Sequence, residues 1–335
     1  MSKRLNENMR LDEKMRLADN IFDSPEQIPQ RNGYGDGVVE AGGANENIVV
    51  LCCDLAESTR SAKFEEKYPG RFVEMGIAEQ NMAGVAAGLA FSGKVPYMSS
   101  YATFSPGRNW DQIRVSICYS MANVKIMGAH AGISVGPDGA THQALEDIAI
   151  TRVLPNLNVV VPCDYWETKK AAIQMAGIEE PFYMRFGREK VPVATTEDTP
   201  FQIGRADTYR DGGDVTVIAC GSLVYEALIA AENLSSEGID VRVINSHTVK
   251  PLDEAAIIAS AKETGAVVTA EEHQVHGGLG SAVAEALSLH HPVPIEYVAI
   301  MDRFGESGEP EQLMKKFGLS SDGITKAVRK VLKRK

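Results

Sequence analysis

The sequence predicts an α/β protein made of two doubly wound α/β domains, each a mostly parallel sheet with helices on both faces. Three observations carry that expectation. Short, continuous apolar runs alternate with helix-length segments along most of the chain, as buried parallel strands and their crossovers do. A polar stretch rich in Pro and Thr, Val191 to Pro200, divides the alternation into two series. The length, 335 residues, is long for one core and comfortable for two.

The expected division is a lead-in (1–30), a first domain (31–190), a linker (191–200) and a second domain (201–335). The lead-in is charged and loosely helical, closed by Ser24-Pro25 and Ile28-Pro29. A helix follows from Tyr34 to about Ala41. The run Asn47 to Asp54 is apolar and ends on a carboxylate, the pattern of a central strand with a polar group at its carboxyl end. Phe72 to Ile77 is expected to be a loop opening into a helix from Ala78 that is small or apolar on every side, and therefore buried.

Next come a strand at Val95 to Ser100, a helix through Trp110 and Ile113, and a strand at Val124 to Ala129. A glycine-rich loop, Ala129 to Gly139, leads to a short helix near Leu145. Strand Leu157 to Val161, helix Asp164 to Gly177 and strand Phe182 to Arg185 complete the first series. The second series has strands Val215 to Ala219, Val241 to Ile244, Ala266 to Glu271 and Ile295 to Ala299. Its helices centre near Ala227, Ala256 and Ala284, and a basic terminal helix spans Ser320 to Lys335.

Hydrophobic residues make up 44% and charged residues 24%, enough to bury full cores without staples. The net charge of -11 argues against a sequence-independent binder of nucleic-acid backbone. It leaves room for a small anionic substrate held by local Arg and His. Cys52, Cys53, Cys118, Cys163 and Cys220 show no metal or redox spacing and read as small buried hydrophobes of a reducing compartment. With no apolar signal core before Asn20 and no run long enough for a bilayer, a cytoplasmic protein is expected.

Candidate chemistry gathers at the carboxyl ends of the first-domain strands, where open α/β sheets place ligands. Glu79, in the first turn of the small-residue helix, is either a cap or a carboxyl group held in an apolar pocket for a task. The loop His130 to His142 brings two His and Asp138 within reach of one small volume. The plainer alternative is a satisfied loop, with an Asx turn at Asp138 and an N-cap at Thr141. Tyr101 and Phe104 form either a stacking platform or ordinary core. Arg31, Ser58, Arg185 and Arg188 are candidate anion contacts, or solvated surface. No spacing supports a metal site. Gly35-Asp36-Gly37 lies inside an expected helix and is assigned no metal, and Gly277-Gly278-Leu279-Gly280-Ser281 is a strand-to-helix turn without a nucleotide fingerprint.

Three stretches together resemble transketolases: Glu74-Met75-Gly76-Ile77-Ala78-Glu79-Gln80-Asn81, Asp111-Gln112-Ile113-Arg114, and the loop ending Gly136-Pro137-Asp138-Gly139-Ala140-Thr141-His142. The likeness is to the C-terminal subunit of split transketolases and runs from about Arg31 through Gly308, including Lys250-Pro251-Leu252-Asp253 and Glu271-Glu272-His273. It implies a pyrimidine-binding domain of thiamine-diphosphate enzymes followed by a transketolase C-terminal domain. It also implies transfer of a two-carbon ketol unit between phosphorylated sugars.

By the same resemblance Glu79 hydrogen-bonds the pyrimidine of thiamine diphosphate, Phe104 stacks on it with Tyr101 nearby, and Asp54 lies close. Arg31, Ser58, His130 and Arg188 match sugar-phosphate contacts. Asp138 and His142 match groups at the reacting end of the sugar, His142 with a catalytic part. The stretch at Ser105-Pro106-Gly107 carries about one residue more than the full-length enzymes. The family's diphosphate domain, with its Mg²⁺ motif, has no counterpart here. A partner chain supplying that site, in an α2β2 assembly, is therefore implied, with the helix after Glu79 at the interface. A 1-deoxyxylulose-5-phosphate synthase fits less well, since it has an Asp-Arg pair at Ala129-His130. A 2-oxoacid dehydrogenase β subunit does not need the His130, Asp138 and His142 trio, and an inactive regulatory subunit does not need Glu79.

Overall fold

The computed structural model of the chain describes residues 11–335. The first ten residues of the expected lead-in lie outside the described residues. The remainder of that lead-in is mostly irregular, with one 3-10 turn, Glu13–Met15, and a short strand, Gln27–Pro29. Two prolines and the Asp12 side chain, which accepts from the Lys14 amide, favour turns there over helix.

The first sheet has seven strands in the order Thr248–Lys250, Asn158–Val160, Phe182–Phe186, Lys125–Ala129, Val95–Tyr101, Ile48–Cys52, Phe72–Glu74. Every neighbouring pair is parallel except the first. Ile48–Cys52, Lys125–Ala129 and Phe182–Phe186 are buried at every residue, as strands covered on both faces must be. Phe72–Glu74, expected as loop, pairs along Val50 to Cys52 as an edge strand. The opposite edge, Thr248–Lys250, comes from the second half of the chain.

Helix Gln30–Ala44 begins four residues before the expected Tyr34. Its glycines are poor helix formers, but a Cβ on Gly33 or Gly37 would overlap the backbone of helix Tyr165–Ala176. Close helix packing outweighs propensity here. Asp36, within the Gly-Asp-Gly triplet, pairs with Lys63 at 2.5 Å and accepts from Tyr165 at 3.0 Å.

The expected linker is not slack. Lys190–Pro192 pairs antiparallel with Gln27–Pro29. Buried Asp164 accepts from the Ala194 and Thr195 amides at 2.9 and 2.7 Å and from the Thr195 hydroxyl at 2.7 Å.

The second sheet orders Ile295–Ile300, Val267–Gln274, Val215–Ala219, Val241–Asn245, Asp207–Arg210, with only the last pair antiparallel. Helices Leu223–Ser235, Glu254–Thr264, Leu279–His290 and Ser321–Leu332 cover it. Asp207–Arg210 and helix Pro310–Lys316 have no clear sequence signal. One apolar cluster runs from Val49 and Leu51 of the first sheet to Ile218 and Ile244 of the second and to Leu279 and Val283 of the helix Leu279–His290 that covers it. The Gly277–Ser281 stretch is a strand-to-helix turn. Its free amides, those of Leu279 and Gly280, donate to the buried Glu271 carboxylate at 2.7 and 2.8 Å, so no phosphate is needed there.

All five cysteines are buried and free. Burial pushes the Cys52 thiol up to about 12 and that of Cys53 up to about 11, which keeps both unreactive. Among the described residues, no helix is long and apolar enough to cross a membrane.

Candidate active site

Helix Glu79–Phe91 follows the short edge strand. It is buried on one face only. Met82, Ala83, Ala86 and Ala87 pack inward, while Gln80, Asn81, Gly84, Gly88 and Phe91 are exposed. The all-round burial expected from its composition is therefore not supplied by this chain. Nearby Ile77, at 71% exposure, and Val115, Tyr119 and Met121 of the adjoining segment add apolar surface.

Glu79 is 4% exposed, and its side chain caps nothing: the N-cap residue is Ala78, with no side-chain bond to the helix amides. The carboxylate faces Arg108, whose Nη1 donates to Oε1 at 3.2 Å. Asn109 ties this helix start to the loop after strand Val95–Tyr101, donating from Nδ2 to the Glu79 carbonyl and to Ser105 Oγ, both at 3.1 Å.

The two aromatics lie at this junction, Tyr101 as the last residue of the strand and Phe104 in the loop. The Tyr101 and Phe104 rings are nearly parallel, 14° apart with centroids at 5.9 Å. His142 stands edge-on to Phe104 at 5.5 Å and to Tyr101 at 6.2 Å, and His130 packs on Tyr101 at 4.3 Å. The Arg108 guanidinium covers the Phe104 ring at 4.0 Å. Glu79, Arg108, Phe104, Tyr101, His142 and His130 thus form one continuous row. A cavity of about 550 Å3 opens at its Glu79 end, lined by Ile77, Ala78, Glu79, Gln80, Asn81 and Arg108.

At the Tyr101 end the hydroxyl bonds Ser58 Oγ at 2.7 Å. The Ser58 carbonyl accepts from Arg31 Nη1 at 3.0 Å and contacts His130 Nε2 at 3.2 Å. A second cavity, also about 550 Å3, is lined by Arg31, Asp54, Ser58, Arg60 and Glu74 among others. Asp54 has a left-handed backbone, φ 56°. Glu74 Oε1 accepts from its amide and from that of Gly76, both at 2.8 Å. Burial lowers the pKa of Arg31, and so do the neighbouring Arg60 and Arg188. Arg31 and Arg60 line this cavity opposite the carboxylates of Asp54, Glu57 and Glu74, so its charge is mixed, and an anion would be held at the Arg31 side, where Arg188 is also near.

Burial lowers the His130 pKa to about 3, with Arg31 and Arg188 adding to it. The ring is therefore neutral, and its contact with a carbonyl puts the proton on Nε2; Nδ1 is buried without a partner. Between about 6.5 and about 3 the unfolded chain takes up a proton that the folded ring refuses. Stability should fall as pH drops through that window, by at most about 1.4 kcal/mol per pH unit from this group. A long-range ¹H–¹⁵N spectrum should show the His130 ring neutral down to about pH 5. A His130 resonance titrating like a free imidazole would contradict the burial argument.

Asp138 does not form a simple turn. Its Oδ2 accepts from Arg188 Nη1 at 3.2 Å. Nor does Thr141 cap a helix; it bonds His142 Nδ1 at 2.9 Å, and the next helix is Asp147–Arg152 with Glu146 at its N-cap. Of the candidate anion contacts, Arg31, Ser58 and Arg188 converge near the row. Arg185 does not. It is 5% exposed, and its Nε is committed to Asp147 Oδ2 at 2.9 Å. Arg60 joins the site without a sequence signal that singles it out, and Glu74 opens the transketolase-like stretch Glu74 to Asn81 without a role of its own being read from it. Arg108 stands four residues after Phe104, an aromatic-to-cation spacing that could have suggested it.

The family model described as the transketolase pyrimidine-binding domain matches residues 26–193, and that of the transketolase C-terminal domain matches 204–324. The chain belongs to the transketolase family. Among transketolase relatives it is 42% identical to the "6-deoxy-6-sulfo-D-fructose transketolase subunit SqwH" of Clostridium sp. (strain MSTE9), covering 91% of this chain and 95% of that one. It is 39% identical to one subunit of the apulose-4-phosphate transketolase of Phocaeicola vulgatus over 92% of this chain and 98% of the relative. Human transketolase is 37% identical over 91% of this chain, which spans 49% of that longer enzyme. A solved structure described as a split gene transketolase, inactive beta4 tetramer, superposes with a TM-score of 0.86 at 48% identity. The match covers 91% of this chain and 99% of that one.

The donor set fits the pyrimidine end of the thiamine diphosphate that the transketolase family implies. A buried carboxylate faces the same slot as an aromatic ring, and the guanidinium of Arg108, a planar N–H donor, already satisfies both. The metal end has no such match. Among the described residues, no group of three or more His, Cys, Asp or Glu is arranged to hold a metal.

Proposed function

We propose that this chain is the pyrimidine-binding C-terminal subunit of a two-chain transketolase, moving a two-carbon ketol unit between sugar phosphates. The observation that carries this reading is the row from buried Glu79 through Phe104 and Tyr101 to the Arg31–Arg188 end. It sets a buried carboxylate, a stacking face and candidate anion contacts in the order such a reaction needs. Relatives of matching length carry names of transketolase subunits, which supports a partner chain.

In this reading thiamine diphosphate, when bound, supplies the carbanion-stabilising chemistry. Glu79 holds the pyrimidine and exchanges a proton with its ring nitrogen. Phe104 stacks on the same ring, with Tyr101 behind it and Asp54 nearby. Arg31, Ser58 and Arg188 take the sugar phosphate, and neutral His130 braces the Ser58 carbonyl. Asp138 and His142 meet the sugar hydroxyls at the reacting end. The diphosphate and Mg²⁺ belong to the partner, whose surface covers Ile77, Phe91 and Tyr119 in an α2β2 assembly.

The purified chain should show little ketol transfer, and addition of the partner chain should restore it. Robust transfer by the chain alone would defeat the two-chain reading. In the complex, Arg188→Ala should raise KM for a phosphorylated donor about tenfold or more, consistent with loss of a charge-assisted contact, and change an unphosphorylated donor far less. Equal effects on both donors would remove Arg188 from the phosphate site.

A further inference from the structure

The loop that carries Asp138 and His142 is not held by its own domain alone. Four residues in it take a left-handed backbone: His130, Gly132, Gly136 and Gly139. Its 3-10 segment, Ile133–Asp138, is broken at Gly136. The loop makes bonds of its own, Gly132 N to the Ala144 carbonyl at 2.9 Å and Gly139 N to the Gly136 carbonyl at 3.1 Å, but the left-handed positions also bring it against the second domain.

The second domain touches it at three places. Glu272, on strand Val267–Gln274, accepts from the Ser134 amide at 2.7 Å through Oε1. Its carboxylate lies directly against Gly132, where a Cβ would overlap it. Gln143, 3% exposed at the far end of the loop, donates from Nε2 to the Ile133 carbonyl at 3.1 Å and to the Glu306 carbonyl of the second domain at 3.0 Å. Ser307 and Pro310 close on Gly139 and Gly136, leaving no room for side chains there. Glu272 is in turn anchored through its carbonyl, which accepts from Arg185 Nη2 at 2.6 Å.

We infer that the second domain is the template for the sugar end of the site, and that Glu272 is a positioning residue for Asp138 and His142. A buried acceptor fixes the amide of Ser134 and so the start of the 3-10 turn. Four residues on, that turn delivers Asp138 to Arg188. Glu272 needs only an acceptor oxygen for this, so an amide at the same position should serve.

The kinetic arm rests on the transketolase reading above; the structural arm does not. In the complex, Glu272→Ala should raise KM for the sugar donor about tenfold or more while leaving thiamine diphosphate affinity within about twofold, since misplacement by an ångström is enough for such a loss. Glu272→Gln should stay near wild type. In the free chain, hydrogen exchange over residues 132–142 should accelerate in Glu272→Ala and not in Glu272→Gln. Leu234→Ala, a buried change elsewhere in the second domain, controls for lost stability and should leave loop exchange and KM unchanged. Unchanged loop exchange in Glu272→Ala, or equal acceleration in Leu234→Ala, would overturn the inference. A Gln variant as defective as Ala would overturn the acceptor role. If the wild-type complex transfers no ketol unit, the transketolase reading fails, and the exchange measurement still decides the template.

Discussion

Glu79→Ala is expected to lower ketol transfer by the assembled enzyme by a factor of about a hundred or more, the size of a lost general acid–base group. The structure lets this result be read as chemistry. Glu79 makes no capping bond, so its removal frees no helix amide. Its one side-chain partner, Arg108, is half exposed and can turn to water. The variant should therefore unfold near the wild-type temperature. Glu79→Gln should be nearly as inactive, because an amide keeps a hydrogen bond but exchanges no proton. Initial rates in a coupled assay, with circular dichroism melts alongside, separate the two effects. A Glu79→Ala complex working at close to the wild-type rate would return the residue to a structural part.

Much of this site is legible in the sequence because strand-end loops of a parallel sheet are where ligands sit. Glu79, the Tyr101 to Phe104 stretch and the His130 to His142 loop all follow or flank such strands. What is not legible depends on contacts between segments far apart in sequence. Glu272 lies 138 residues from Ser134, and Arg60 faces Asn32 from a separate loop. No local pattern marks either. Helix Glu79–Phe91 shows the opposite limit. Its composition signals a helix buried on every side, yet this chain covers only the face of Met82, Ala83, Ala86 and Ala87, and composition does not say which face its own fold leaves open. The edge strand Thr248–Lys250 escapes a sequence reading because three residues with a following proline carry no period.

Two arginines three positions apart show how burial decides a role. Arg185 and Arg188 are both candidate anion contacts by sequence. Arg188 is about one-third exposed and pairs with a similarly exposed Asp138. Arg185 sits inside, in a strand, beside an Asp147 that is 1% exposed. Asp147 Oδ2 accepts from Arg185 Nε at 2.9 Å and from the Tyr183 hydroxyl at 2.7 Å, while its Oδ1 has no partner. Replacing Arg185 with leucine would strand that carboxylate in the core and free the Glu272 carbonyl. Breaking a buried pair from one side costs about 3–5 kcal/mol. For a chain of this size that is a fall in Tm of roughly 4–7 °C. Asp147→Asn combined with Arg185→Leu removes both charges and should recover a large part of the loss, because a buried pair exchanged whole is often close to neutral. Arg188→Ala, by contrast, should shift Tm by about 1 °C or less, as exposed pairs do. Calorimetric melts of the three variants test this. An Arg185→Leu chain melting with wild type would mean that water reaches Asp147, and with it the junction on which the loop from Gly132 to Gln143 is built.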